Sequence, residues 1–206
     1  MVIALLSTSI LLLITFLSIS LYLYKKANQE NYNLSNHFPF EIYNRLNPVN
    51  SFTNAVLLMA FICFTANFVL YAVNDLSFNT IMMCLLALAI TTLSMLLLYI
   101  PIGRFRCHVM LVISLAICSV MINVFLLFSE VRALKIYEQN LYIFPIVVQS
   151  LLVVTYLFFI FHPSLFNLKM NGEERPKTIF LALLEWVVII TIFLSQIGLL
   201  FFDILG

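Results

Sequence analysis

One carboxylate in this chain stands where a carboxylate is costly. Glu185 lies in the last apolar run, among Leu, Ile, Val and Phe. At about 100° per residue, Thr178, Glu185, Gln196 and Asp203 fall within about 20° of one another on a helix. They draw a single polar line down a segment that is otherwise apolar. An ionisable group at membrane depth should face protein or water, not lipid. Glu185 follows Lys177 by eight residues, about 12 Å along a helix axis, which places it within the inner leaflet. Low dielectric favours the neutral acid unless a cation pairs with it, and no Lys or Arg lies inside an apolar run. Proton coupling or cation binding is the chemistry open to such a group. A neutral packing residue or a contact to a partner subunit is the plainer reading, and the one the sequence favours. Trp186, rotated by about 100° from it, is expected to face lipid or a neighbouring helix.

Uncharged polar residues suggest where that line points. The fourth run carries Ala116, Ser119, Asn123 and Glu130 on one face, and the fifth carries Gln149 and Tyr156 seven residues apart. With Gln196 these positions would converge on a common interior. Buried amides mostly glue helices together, at about 0.6–2 kcal/mol each, and need no ligand to explain them. The third run has a seam of small residues, Thr80, Cys84, Ala87, Thr91 and Ser94, which lets another helix approach closely. A matching face on the second run, Thr53, Ala60, Cys63, Asn67 and Asn74, is expected to dock on it, with Asn67 hydrogen-bonding across.

A second candidate lies at the rim. His37 lies in the first connection, His108 enters the fourth run and His162 leaves the fifth, and Arg104, Arg106 and Cys107 stand beside His108. Gathered together, Arg104, His108 and His162 could hold a phosphate or lipid headgroup, as in a lipid-modifying enzyme. Polar residues at helix ends are the default alternative. Catalytic motifs are lacking: there is no Gly-rich phosphate loop, G-x-S-x-G, H-E-x-x-H or D-x-x-D pairing. Lys169 and Arg175-Pro176 miss a K-x6-R-P phosphatase spacing by one residue, and no second half of that motif exists. The four cysteines form no CxxC or zinc-type spacing, so no metal or cofactor is expected.

Helices must position these groups. Hydrophobic residues make up 64% of 206 positions and charged residues 9%, and the mean hydropathy is +1.11. Soluble domains carry about 25% charged residues, so a water-facing fold is excluded in favour of a membrane one. Six runs reach the roughly 20 residues that span a bilayer: Val2–Tyr24, Thr53–Val73, Thr80–Ile102, Val109–Phe128, Leu141–Phe161 and Ile179–Phe202. The first lacks a basic leader and a cleavage site and reads as an uncleaved helix. The first, third and fifth connections hold eight of the ten Lys and Arg, and positive residues mark cytoplasmic loops, so both termini are expected outside. In the first connection, Pro39 could open a short amphipathic helix whose Phe40, Tyr43 and Leu46 lie on the inner membrane surface. Few residues break the runs; there are four Gly and six Pro, against the broken helices of many transporters.

The expectation is therefore an all-α polytopic membrane protein. One domain of six transmembrane helices sits in a plasma or bacterial inner membrane, with the lipid bilayer and other membrane subunits, or itself, as partners and no nucleic acid. The leading functional reading is a non-enzymatic subunit or scaffold acting through helix–helix association. A small proton- or cation-coupled transporter using Glu185, supported by Gln196, Asn123, Gln149 and Asn67, is the alternative, and a lipid-modifying rim enzyme the third.

Overall fold

The computed structural model of the protein describes residues 2–28, 32–34, 37, 50–74, 76–99, 105–137, 140–163 and 179–205. They form α1 (Val2–Asn28), α2 (Asn50–Asn74), α3 (Phe78–Tyr99), α4 (Phe105–Tyr137), a 3-10 turn at Asn140–Tyr142, α5 (Ile143–Phe161) and α6 (Phe180–Leu205). Six helices are long and apolar enough to cross a membrane, with candidate spans of 20 to 30 residues. Helices answer the physics of such a sequence, because hydrocarbon offers the backbone no hydrogen-bond partner and each helix must satisfy its own. The expected amphipathic segment at Pro39–Leu46 lies outside the described residues.

Two boundaries differ from the hydrophobic runs in ways that matter for chemistry. Helix α4 starts at Phe105 and ends at Tyr137, where apolar residues alone mark 109–128. Hydropathy reports which residues suit lipid, whereas a helix continues as long as its i to i−4 ladder is intact. His108 thereby moves from a loop into the first turn of α4, and Glu130 from a loop into its last third. Helix α3 begins earlier than expected because Ser77 caps it, its Oγ accepting from Thr80 N–H at 3.4 Å.

Sequence neighbours pack side by side, α1 on α2 and so on round to α6, as short connections dictate. Helix α6 then packs on α1, α2, α4 and α5. It is the central helix: 61% of its most apolar window is buried, against 28% for α1 and 22% for α5. Phe193 of α6 meets Phe61 and Phe64 of α2 at ring-centroid distances of 5.2 and 6.0 Å. With lipid as apolar as the core, such packing and interhelical hydrogen bonds do the work that water exclusion does elsewhere. The outward faces are apolar, including Leu11 and Ile14 of α1, Leu88 of α3 and Leu151 and Val154 of α5.

The α2–α3 hairpin closes through threonines. Thr65 and Thr91 hydroxyls lie 2.7 Å apart, and each hydroxyl also reaches a backbone carbonyl of the other helix, Ala87 and Phe61, at 3.4 Å. Asn67 does not bridge this seam, contrary to expectation. Two residues on from Thr65, it is rotated by about 200° and faces α6.

Candidate functional site

Glu185 points into the bundle, 2% exposed, and its Oε2 lies 3.2 Å from Nε2 of His108, which is 0% exposed. Two residues that the sequence assigned to separate sites thus form one buried pair. Glu185 enters from the second turn of α6 and His108 from the first turn of α4. The imidazole takes the place beside the acid that a Lys or Arg would otherwise fill. The pair is net neutral when it holds one proton, whether on the imidazole as an ion pair or on the carboxyl beside a neutral ring. Gain or loss of a proton leaves one buried charge, which low dielectric penalises until water or a counter-charge arrives. Beside Glu185, a cavity of about 20 Å³ is lined by Leu57, Phe61, Ser94, Leu97, Leu115 and Ile189. Such a volume suits one water molecule, and the buried Ser94 hydroxyl at its wall has no hydrogen-bond partner among the described residues.

Further along α6, a second set ties three helices. Gln196, Asn67 of α2 and Ser9 of α1 are all 0% exposed. The Asn67 and Gln196 amides meet at 2.6 Å, and Gln196 and Ser9 at 3.0 Å. Network geometry, not atom identity, fixes amide orientation. With Asn67 turned over, its nitrogen donates to the Val2 carbonyl at 3.3 Å. Turning Gln196 in step lets Gln196 donate to Asn67, and the single Ser9 proton then lies between the Gln196 oxygen and the Leu6 carbonyl, which is 2.9 Å from Ser9 Oγ.

The opposite face of α6 meets α4 and α5. Gln149 Nε2 donates to the Ser195 carbonyl at 3.0 Å, and the Tyr156 and Thr191 hydroxyls hydrogen-bond to each other. Buried Glu130 of α4 lies against Gly198, with Gln149 beside it. Asn123 donates within its own helix, to the Ser119 carbonyl at 2.6 Å.

The five intramembrane candidates therefore all turn inward but do not share one site. Asn67 and Gln196 join each other, Gln149 joins Ser195, Asn123 stays on α4, and Glu185 takes His108. Of the line on α6, Thr178 lies outside the described residues, as does the side chain of Asp203. Of the rim candidates, His108 pairs with Glu185. His162 stacks on Phe180 at 4.0 Å, and Phe180 is about 140° round α6 from Glu185. Arg104 lies outside the described residues. His37 packs on Tyr24 and Tyr32, and its carbonyl accepts from Trp186 Nε1 at 3.0 Å. That puts Trp186, 3% exposed, under the first connection and not against lipid. Sequence reasoning passed over Ser9 and Ser195, which carry no periodic signal, and left Glu130 out of the candidate site although it shared a face with Asn123. No protein-family model, curated protein or solved structure matches this chain.

Proposed function

We propose that the protein is a small proton-coupled membrane transporter in which His108 and Glu185 bind the coupling proton. The buried contact between Nε2 and Oε2 at 3.2 Å carries this reading. Histidine changes charge near physiological pH, and an ionisable pair at membrane depth marks an ion pathway more often than a brace. Apolar side chains of like volume would fill the same space without the desolvation cost. The same geometry weakens the subunit reading in its original form. Its polar line would have to face outward to bind a partner, yet Glu185 and Gln196 are buried against the chain's own helices. With positive loops in the cytoplasm, the pair lies near the inner face.

Proteoliposomes adsorbed to a solid-supported membrane test this directly. A rapid pH step should drive a transient current in the wild type as protons bind, with no substrate present. Glu185→Gln, close in shape and without a titrating group, should weaken it and move its pH dependence at unchanged yield. Equal currents from both would overturn the reading.

A second reading has one observation in its favour. Ile62, Thr65, Ala66, Val69, Leu88 and Thr91 line an apolar groove of about 510 Å³ between α2 and α3. A membrane subunit could take a partner helix there, and co-purification of a stoichiometric partner lost on Ala66→Trp would support it. Purification as a lone chain with the pH-step current intact would leave the transporter reading standing alone.

A further inference from the structure

Glu130 takes no part in the pair at the start of α6, yet it is fully buried. Its carboxyl sits on the Cα of Gly198, where an added methyl would fall 2.3 Å from Oε1 and 2.9 Å from Gln149 Nε2. Gly198 is thus what admits the acid between α4 and α6. Among the described residues neither carboxyl oxygen has a hydrogen-bond partner, and neither does Gln149 Oε1. The Gln149 nitrogen gives one of its two N–H groups to the Ser195 carbonyl at 3.0 Å, which leaves the second as the nearest neutral donor to the carboxyl.

A bare carboxylate there would keep its charge in low dielectric with only that neutral amide near it among the described residues. One proton removes the charge, and with it the cost of burying it. A metal cation fits less well, since the seat brings together one carboxyl and an amide nitrogen, fewer oxygens than hard cations take. We propose that Glu130, seated by Gly198 and Gln149, is a second proton-binding site at the opposite end of α6 from His108 and Glu185. The site stands on its own contacts and holds whether or not the first pair moves protons. If both act, proton acceptors lie at Glu185 and beside Gly198, about 20 Å apart along the axis of the central helix, one toward each membrane face.

Among the described residues few other charges bear on it. Helix α5 presents Gln149, with Tyr142 before it and Tyr156 beyond. Helix α6 presents Ser195 and Gly198, with the Asp203 side chain outside the described ones. Helix α3 offers Cys84, and on α4 itself Arg132 and Lys135 are exposed.

Infrared spectra of the purified full-length protein at neutral pH test the assignment. The wild type should show the carbonyl band of a protonated carboxyl, shifted in deuterated water. Glu130→Gln, a neutral isostere, should purify like the wild type and lose that band, while Glu185→Gln keeps it. Gly198→Ala, which unseats the carboxyl, should also lose it. A band indifferent to Glu130→Gln would overturn the proposal. So would a Glu130→Gln protein that fails to fold, since the seat would then require a carboxylate. A band removed only by Glu185→Gln would assign the proton to the first pair and sink the second site alone.

Discussion

At the scale of residues, the bundle is organised by polar side chains that each answer another helix. Gln196 is the clearest case, because it alone joins Asn67 of α2 to Ser9 of α1. Gln196→Leu should therefore cost more than one hydrogen bond, leaving the Asn67 amide short of a partner. We expect about 1–2 kcal/mol of lost stability, read as an earlier transition in denaturation by sodium dodecyl sulfate. A variant that unfolds with the wild type would show that Asn67 is satisfied elsewhere. Glu185 and Gln196 were legible as inward-facing from the polar line alone. The partner of Glu185 was not, because His108 stands outside the apolar run and reads as a loop residue. Only the extra helical turn from Phe105 carries it inside.

At the scale of elements, the packing seams follow from small residues, though which helices they join does not. Periodicity identified Ala87 and Thr91 as a close-approach face on α3 and placed it against α2, where Thr65 and Thr91 meet at 2.7 Å. It misassigned Asn67 because a face of small residues fits any neighbour, and six helices offer several. Ala87 is 0% exposed and Leu88, next to it, 47% exposed. Ala87→Leu should accordingly cost about 1–3 kcal/mol by overpacking. Leu88→Ala, on the lipid side, should change stability by less than about 0.5 kcal/mol. The same denaturation series measures both, and equal costs would mean that α3 does not pack as described.

At the scale of the whole molecule, α6 is the helix around which the others arrange, although it comes last in the chain. Nothing in its composition announced this beyond its polar line, because burial against four helices is a property of the assembly. The charges make a prediction about orientation: eight Lys and Arg in three alternate connections would set the His108 end in the cytoplasm by the positive-inside rule. Cys107 is exposed at that end while Cys63 is buried. An impermeant maleimide should thus label a variant keeping only Cys107 in broken cells and not in intact ones. Asn33, in the Asn33-Leu34-Ser35 sequon, should likewise stay unglycosylated in a eukaryotic host. Labelling of intact cells would invert the bundle and move His108 and Glu185 to the outer face.

The central claim is that His108 and Glu185 are one titrating unit. The chain has three histidines, so selective imidazole labelling and nuclear magnetic resonance can follow each through a pH titration. Glu185→Gln should move the titration of one imidazole, His108, assigned by His108→Gln, and leave His37 and His162 where they were. If the His108 titration is unchanged by Glu185→Gln, the pair does not exist as described and the transporter reading loses its foundation.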